Sequence, residues 1–430
     1  MQFQERSRSE VDVAIVGAGA AGVAAAGQLK TICPHLSVLV LEAGSRMGGR
    51  ALTLRPEVLA GEPIDLGCGW LHGARTNAWR KIAGDVGLTV DQTPAPWSEG
   101  GRRLQSDPEV EDGIEVFFAR VDGYSAETDV PLSAMLEPGH SANARIEAIG
   151  TYLNGASLDQ ASLIDYRHYA PGEGPDWRVR EGYGTLIGRY AEGLDIRLKT
   201  IVSHIDHGAA DSVVLTTSCG TLRAKWAIVT VSTNILASQA IRFTPALPEK
   251  VEAAASLPLG LANKMFLAVS PELDMPVDMQ AYGSPTSSAT GSYQIRPFGS
   301  ATIEAYFAGP LARELESEGE DAALSFAYEE LAGLFGSDIR RHLKFAAISG
   351  WAASPHIGGS YAYALPGASA ARAVLAASVD ERLLFAGEAC SLSRYSTAHG
   401  AYETGIAAAN SVASASGSMV GAVRENRSST

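Results

Sequence analysis

The pattern of apolar and polar positions predicts a βαβ unit near the start of the chain. VDVAIV (residues 11–16) is a short apolar run rich in β-branched residues, and it ends at Gly17. A helix of small residues is predicted from about 20 to 30, and SVLVLE (37–42) has the pattern of a second buried strand. Continuous apolar strands on either side of a helix are typical of a parallel sheet.

Strands of the same buried kind recur in the middle and near the end of the chain. They are predicted over 195–205, 212–217 and 224–231, and again over 382–389. A helix of small residues follows at 399–415. The same sheet is therefore expected to be assembled from separated parts of the sequence.

A second group of strands lies between these parts. MFLAVS, SYQIRP and TIEAYFA, at 265–270, 292–297 and 302–308, have the pattern of an antiparallel sheet, and an amphipathic helix is predicted over 318–336. The polar stretch 98–113 is expected to be an exposed loop, and 114–170 has mixed helical periodicity.

These patterns predict an α/β fold with two interleaved domains. Residues 10–85, 181–240 and 351–415 are assigned to a discontinuous Rossmann-like nucleotide domain. Residues 86–180 and 241–350 are assigned to an α+β substrate domain with a mixed or antiparallel sheet, and 416–430 to a flexible tail.

Composition narrows the classes of function. The chain has 430 residues, 46% hydrophobic and 19% charged, which is typical of a soluble globular protein, and we identify no signal peptide or membrane span. A net charge of −14 argues against a nucleic-acid partner and is compatible with a cationic substrate, or with solubility alone. The four scattered cysteines argue against disulfides and a metal site and fit a reducing cytosol, so a cytoplasmic location is expected. A monomer or a homodimer is expected.

The turn after the first strand carries a dinucleotide-binding pattern. VAIVGAGAAG places Gly17, Gly19 and Gly22 between a strand and a helix, and Glu42 ends the second strand. Glycines permit a tight turn and close approach of pyrophosphate, and an acid at this position accepts the ribose hydroxyls. An acid also disfavours a 2′-phosphate, so FAD or NAD is favoured over NADP.

The next stretch separates these two cofactors. EAGSRMGGR (42–50) resembles a motif of the flavin-dependent amine oxidase superfamily, although Gly44 stands where many relatives carry arginine. The resemblance implies FAD, with Ala43 and Arg50 beside it. A solvated surface arginine is the alternative for Arg50.

Further blocks of this family appear in the family's order. DLGCGWLHG (65–73) resembles the flavin-facing segment of polyamine oxidases, and FAGEACSLSRYSTAHGAYETG (385–405) resembles the terminal flavin segment. The residues that these and three shorter blocks imply for cofactor binding are Gly69, Trp70, Leu71, Val202, Gly387, Glu388 and Ala398. The implied catalytic residues are Lys264, His72, Tyr361, Trp351 and Thr397.

Two positions indicate a branch of the family. Monoamine oxidases carry a cysteine bonded to the flavin where this chain has Ser360, so non-covalent FAD is predicted. They also carry a second tyrosine where this chain has Thr397, which resembles polyamine oxidases and histone lysine demethylases. His72 favours the polyamine branch.

The resemblance implies hydride transfer from a C–H bond next to an amine nitrogen to flavin N5. The resulting imine would hydrolyse to an aldehyde and an amine, and O2 would reoxidise the flavin to give hydrogen peroxide. In this scheme Lys264 holds a water near N5, Tyr361 forms an aromatic wall, and His72 accepts a hydrogen bond from the substrate. Ordinary packing is the alternative for Trp351 and Tyr361, a strand-end lysine for Lys264, and a structural histidine for His72.

Other functions stay open at this point. The substrate is expected to be a small cationic amine, most simply a polyamine. An oxidase or dehydrogenase of a monoamine, an amino acid or an alkaloid amine is the alternative enzyme. A flavin-bound protein without amine turnover is the alternative from a different class.

Overall fold

The computed structural model describes residues 9–105 and 107–428, with side chains up to residue 417. The strands are, in chain order, β1 (Glu10–Val16), β2 (Val38–Leu41), β3 (Thr53–Leu54), β4 (Ile64–Asp65), β5 (Val90–Asp91), β6 (Arg102–Arg103), β7 (Arg178–Val179), β8 (Ile196–Arg197), β9 (Val202–Asp206), β10 (Val213–Thr217), β11 (Gly220–Val229), β12 (Arg242–Thr244), β13 (Ala262–Val269), β14 (Met279–Tyr282), β15 (Ser292–Ile295), β16 (Thr302–Ala308), β17 (Leu343–Ile348) and β18 (Leu383–Phe385).

The α-helices are α1 (Ala20–Ile32), α2 (Ala78–Asp85), α3 (Pro108–Gly123), α4 (Asn143–Asn154), α5 (Leu163–Arg167), α6 (Tyr183–Tyr190), α7 (Thr233–Ala237), α8 (Pro248–Ala255), α9 (Gly309–Glu318), α10 (Glu320–Phe335), α11 (Ala371–Ala376) and α12 (Ala398–Ser428). Short 3₁₀ turns lie at Glu57–Leu59, Leu132–Met135, Pro297–Gly299, Ser337–His342 and Glu388–Cys390. None of the helices in this described part of the chain is long and apolar enough to cross a bilayer.

The first sheet has the order β12-β9-β10-β11-β1-β2-β8, with β18 also paired to β11. β1 runs parallel to both β2 and β11, and β18 runs parallel to β11. These strands come from the beginning, middle and end of the sequence. The prediction of a discontinuous Rossmann-like sheet is therefore confirmed.

Helices α1 and α12 cover one face of this sheet. Their small residues let the two backbones approach closely, since a Cβ at Gly405 would lie 2.2 Å from the carbonyl oxygen of Ala21. Leu29 and Val412 are buried in the apolar layer that these helices share with β1. The packing joins the two ends of the chain behind the nucleotide turn.

The second sheet has the order β17-β13-β16-β15-β14-β6 and is antiparallel except where β14 pairs with β6. Strand residues alternate between its two faces. Met265, Leu267, Ile303 and Ala305 belong to one apolar cluster with Leu331 of α10. The intervening residues face the other way, and Lys264, Glu304 and Tyr306 among them form part of one wall of the site described below.

Two expectations about local structure are wrong. The stretch 98–113 contains β6 and the start of α3, because Asp107 caps this helix by accepting the Glu109 N–H at 3.1 Å and Pro108 occupies its first position. The run 195–205 is split by Lys199, whose φ is +53°. The segment assigned to the tail belongs to α12 as far as Ser428, and 429–430 lie outside the described residues.

Candidate active site

A cavity of about 1390 Å³ joins the nucleotide turn to the second sheet. Gly17, Gly19 and Glu42 line one end of the cavity, and Lys264 and Tyr361 line the other end. This volume exceeds the roughly 300–1000 Å³ typical of a pocket for one small molecule. The cavity therefore has room for a dinucleotide and a second ligand.

The glycine turn leaves no space for side chains. Gly17 has φ of +106°, and a Cβ there would lie 2.6 Å from Oγ1 of Thr230. A Cβ at Gly22 would lie 1.9 Å from the carbonyl oxygen of Gly17, while Gly19 immediately precedes α1. The first N–H groups of α1 therefore lie beside the cavity, which is the arrangement that binds a pyrophosphate.

Glu42 is fixed at the edge of the same cavity. Its Oε2 accepts the Ala18 N–H at 2.8 Å, and its Oε1 accepts the Gly44 N–H at 2.7 Å. Ala43 and Val202 also line this end of the cavity. Because each carboxylate oxygen has two lone pairs, Glu42 keeps acceptor capacity for ribose hydroxyls.

Arg50 links three distant segments of the chain. Its NH1 donates to the carbonyl oxygen of Ser360 at 2.5 Å and to Oε1 of Glu388 at 2.8 Å. Glu388 also accepts the Ala362 N–H at 3.2 Å and the Ser396 N–H at 2.9 Å. Arg50 is therefore not a solvated surface charge, and both it and Glu388 line the cavity next to Gly387.

Most of the segment GCGWLHG faces the cavity. Gly69, Trp70 and His72 line the cavity. Leu71 does not, and the prediction that it borders the cofactor is wrong for a simple reason. Its side chain is fully buried in another apolar cluster, and its N–H and C=O are both bonded to Trp177.

The start of α12 forms another part of the wall. Thr397 caps the helix, since its Oγ1 donates to the Arg394 carbonyl at 2.6 Å and accepts the Gly400 N–H at 2.9 Å. Thr397 and Ala398 line the cavity. Burial and the nearby His72 lower the pKa of His399 to about 4, so His399 is neutral at physiological pH.

The second sheet presents a polar face to the cavity, which the sequence did not predict. The residues on this face are Gln280 and Tyr282 of β14, Ser292 and Gln294 of β15, Glu304 and Tyr306 of β16, and Lys264 of β13. The sequence does contain one indication of this polar face, because Glu304 is the one charged residue in the otherwise apolar strand TIEAYFA. Its relation to Lys264 depends on strand register, which the sequence alone did not fix.

Lys264 lies on this face next to Gly69. Its Nζ is 2.9 Å from Oε1 of Glu304, and both side chains are more than nine-tenths buried. A Cβ at Gly69 would lie 3.1 Å from Nζ. Lys264 is therefore not an exposed strand-end lysine, and glycine at 69 leaves room for the ammonium group.

Trp351 is both a core residue and part of the cavity wall. Its indole Nε1 donates to the carbonyl oxygen of Leu66 at 3.1 Å, and its side chain is buried in the cluster beneath the second sheet. A Cβ at Gly67 would lie 3.2 Å from the indole and 1.8 Å from the carbonyl oxygen of Arg50. Glycine at position 67 therefore allows its backbone to pack directly against that of Arg50.

Tyr361 belongs to a larger aromatic group than the sequence predicted. Its hydroxyl donates to the Tyr152 carbonyl at 2.5 Å and lies 2.8 Å from the hydroxyl of Tyr306. The ring of Tyr152 stacks on Tyr282 with 6.2 Å between centroids. These tyrosines come from separate segments and share no motif, which explains why only Tyr361 was predicted.

His72 is oriented by an acidic partner. Its Nδ1 is 3.1 Å from Oδ2 of Asp176, which also accepts the Trp97 indole N–H at 3.0 Å. Burial opposes ionisation of Asp176, but hydrogen bonds from His72, Trp97 and Gly73 outweigh it and lower the pKa of this carboxyl. With Nδ1 donating to Asp176, a neutral His72 ring keeps an acceptor lone pair on Nε2.

Ser360 and Cys68 have packing roles. The Ser360 hydroxyl donates to the Ala262 carbonyl and accepts the Ala262 N–H, both at 2.8 Å. Burial and the nearby Asp65 raise the pKa of the Cys68 thiol to about 12. Cys68 therefore stays protonated and unreactive near neutral pH.

Comparison with known proteins agrees with this geometry. Residues 133–413 match the model of the family described as flavin containing amine oxidoreductase, and 15–85 match that of an NAD(P)-binding Rossmann-like domain. Polyamine oxidase 3 of Oryza sativa subsp. japonica is 30% identical over 94% of this chain and 90% of its own length. Polyamine oxidase 2 of Arabidopsis thaliana is 28% identical over 92% of this chain and 87% of its own length.

A solved structure supports the fold. Cyclohexylamine oxidase from Brevibacterium oxydans IH-35A superimposes with a TM-score of 0.77 at 22% identity, covering 94% of this chain and 99% of that one. The family match spans well over half of the 430 residues. The chain belongs to the flavin-containing amine oxidoreductase family.

Proposed function

We propose that the protein is a polyamine oxidase that binds FAD non-covalently and uses O2 as the electron acceptor. Its substrate would be a small amine with at least one further cationic nitrogen. The products would be an aldehyde, a shorter amine and hydrogen peroxide. The proposal goes beyond family membership, and it is supported by the charge of the cavity entrance.

The observation that carries the proposal is a row of acids formed by α3 and its capping residue. Asp107, Glu111 and Glu115 all line the cavity, and their spacing of four residues aligns them on one side of the helix. Asp107 and Glu115 are exposed, and Glu111 lies 3.2 Å from NH1 of Arg103. Carboxylates along an entrance attract cations, and they suit a substrate whose distant nitrogens remain protonated.

The residues of the nucleotide end fit FAD. Gly17, Gly19 and the start of α1 would hold its pyrophosphate, Glu42 its ribose, and Arg50 with Glu388 the region beyond the phosphates. FAD, when bound, supplies the acceptor for the hydride that leaves the carbon next to the amine nitrogen.

The protein's own contribution is orientation and charge. The hydrogen bonds of Tyr361 and Tyr306 fix a polar aromatic wall against which an amine is oriented. Neutral His72 would accept a hydrogen bond from an ammonium group through Nε2. Lys264 would place a positive charge where O2 gains electrons, which stabilises the anionic products of its reduction.

Denaturation is expected to release all of the flavin into solution. Both hydrogen-bonding roles of Ser360 are used by Ala262, and the Cys68 thiol is not available as a thiolate, so neither of these two side chains is suited to bond the flavin. Acid precipitation followed by absorption spectroscopy of supernatant and pellet measures this. A yellow pellet would show a covalent bond and contradict the prediction.

A His72→Ala variant is expected to raise KM for polyamines about 10-fold, because one hydrogen bond to a charged group is lost. Its flavin content should stay unchanged. Steady-state peroxide assays measure the effect, and His168→Ala, at an exposed histidine, is the matched control. Equal KM values in the two variants would show that His72 does not take part in substrate binding.

The substrate proposal is tested with a panel of amines. Peroxide release is measured with spermine, spermidine, acetylated polyamines, amino acids and simple monoamines at equal concentrations. We expect the polyamines to give kcat/KM at least about 10-fold above the monoamines, and this ratio should fall as salt rises. Turnover of monoamines or amino acids alone would refute the polyamine proposal and leave the family assignment intact.

A further inference from the structure

A buried glutamate connects the lysine of the cavity to a second cation, Arg178. Glu304 on β16 has one carboxylate oxygen 2.9 Å from Nζ of Lys264 and the other 3.6 Å from NH1 of Arg178. Arg178 also donates to Oε1 of Gln294 at 2.9 Å. In the register of β13 and β16, Lys264 is opposite Tyr306 and Phe266 is opposite Glu304, so the ion pair is a diagonal cross-strand contact.

The Arg178 end of this chain of contacts stacks on two other aromatic rings. The guanidinium of Arg178 lies 4.4 Å from the ring centroid of Trp70 and 4.2 Å from that of Phe298. Trp70 lines the cavity directly after Gly69. Glu304 therefore contacts one cation beside Gly69 and a second cation that stacks on Trp70.

The other ionisable groups near Lys264 are poor partners for its charge. Asp65 is buried, which raises its pKa, and its oxygens are already used by Oγ1 of Thr53 at 2.5 Å and by the Tyr183 N–H at 2.9 and 3.0 Å. Cys68 is a neutral thiol.

Tyr306 completes the set of groups around Lys264. Burial raises the pKa of Tyr306 to about 12, so it stays a neutral phenol and adds no negative charge. Among the described residues, Glu304 is the carboxylate in ion-pair contact with Nζ.

We propose that Glu304 is a positioning residue for oxygen reduction, holding the Lys264 ammonium charged and fixed beside Gly69. The inference rests on the proposed function only in assuming that FAD and O2 meet at this lysine. A buried ammonium without a counter-ion is unstable, so removal of the carboxylate favours the neutral amine. Glu304 thus acts through Lys264.

Glu304→Gln and Glu304→Asp are the informative variants. The flavin of each purified holoprotein is reduced with dithionite, mixed with O2 at a series of pH values, and followed by stopped-flow absorption. Chemical reduction makes the result independent of the amine substrate. Glu316→Gln is the matched control, because Glu316 accepts from Nδ2 of the neighbouring Asn263 at 2.6 Å and belongs to α9.

In wild type, fast reoxidation should be lost as pH rises. Glu304→Gln is expected to move this loss to lower pH by about 1–3 units, the shift produced by removing an adjacent opposite charge. Glu304→Asp should fall between the two, and Glu316→Gln should match wild type. A rate that falls equally at every pH, or an unmoved profile, would overturn the proposal.

A second measurement observes the lysine without turnover. Reductive ¹³C-methylation of the apoprotein followed by NMR gives a titration curve for each lysine, and the Lys264 signal is assigned by its loss in Lys264→Met. This signal should titrate at lower pH in Glu304→Gln, while the FAD dissociation constant changes less than about 3-fold. An unshifted Lys264 signal would contradict the role given to Glu304.

Discussion

A Lys264→Met variant is expected to be reduced by its amine substrate at close to the normal rate and reoxidised by O2 about 100-fold more slowly. Lys264 is a buried ammonium beside Gly69, and methionine replaces it with an uncharged side chain of similar length. The electrons that O2 accepts create negative charge, so the loss of a fixed cation slows this half-reaction. Stopped-flow absorption measures the two half-reactions separately.

Lys344→Met is the control for this prediction. Lys344 is an exposed residue of β17, in the same sheet as Lys264, and it is opposite Ala268 of β13. Its replacement removes a charge of the same kind without touching the cavity. Equal rates of reaction with O2 in the two variants would show that Lys264 has no role in flavin reoxidation.

A Gly22→Ala variant is expected to lose at least about 100-fold in FAD affinity, through the collision of its new methyl group with the glycine turn. The added carbon would lie 1.9 Å from the carbonyl oxygen of Gly17 and 3.1 Å from Oγ1 of Thr230. The turn and the start of α1 must then move apart, and these are the groups assigned to the pyrophosphate. The ratio of flavin to protein after purification gives the result.

Gly188→Ala is the matched control, because Gly188 lies in α6 and a Cβ there meets nothing within 4 Å. This control should keep its flavin.

Glu42→Gln is a second test that keeps the shape of the site if Gly22→Ala misfolds. It should weaken FAD binding about 10-fold, since a neutral amide is a poorer acceptor for ribose hydroxyls. Full flavin occupancy in both cofactor-site variants would contradict the assignment.

The nucleotide end of the site was predictable because its determinants are local. Gly17, Gly19, Gly22 and Glu42 lie in one βαβ unit, where strand, turn and helix fix their relative positions. The family motifs extended this prediction to later segments such as Gly387 and Glu388. The contact between Arg50 and Glu388 then follows from the pairing of β18 with β11, which is not visible in the sequence.

The substrate end was predicted only in part. Lys264 and Tyr361 carry family motifs, but Tyr306 and Glu304 meet them only through the register of the second sheet, and Tyr152 reaches Tyr361 from α4. Asp107 and Glu111 of the acid row fell in a stretch predicted to be a loop, since the polar residues after Asp107 concealed a capped helix. The prediction for Leu71 was wrong because its side chain, unlike those of its neighbours in the motif, turns to the core.

The central claim is that this protein oxidises polyamines with a dissociable flavin. Anaerobic titration of the purified holoprotein with spermine, and separately with a simple monoamine, tests it most directly. We expect spermine to bleach the visible flavin absorption, and admitted O2 to restore it with release of peroxide. Bleaching by the monoamine but not by spermine, or by no amine while FAD remains bound, would contradict the account.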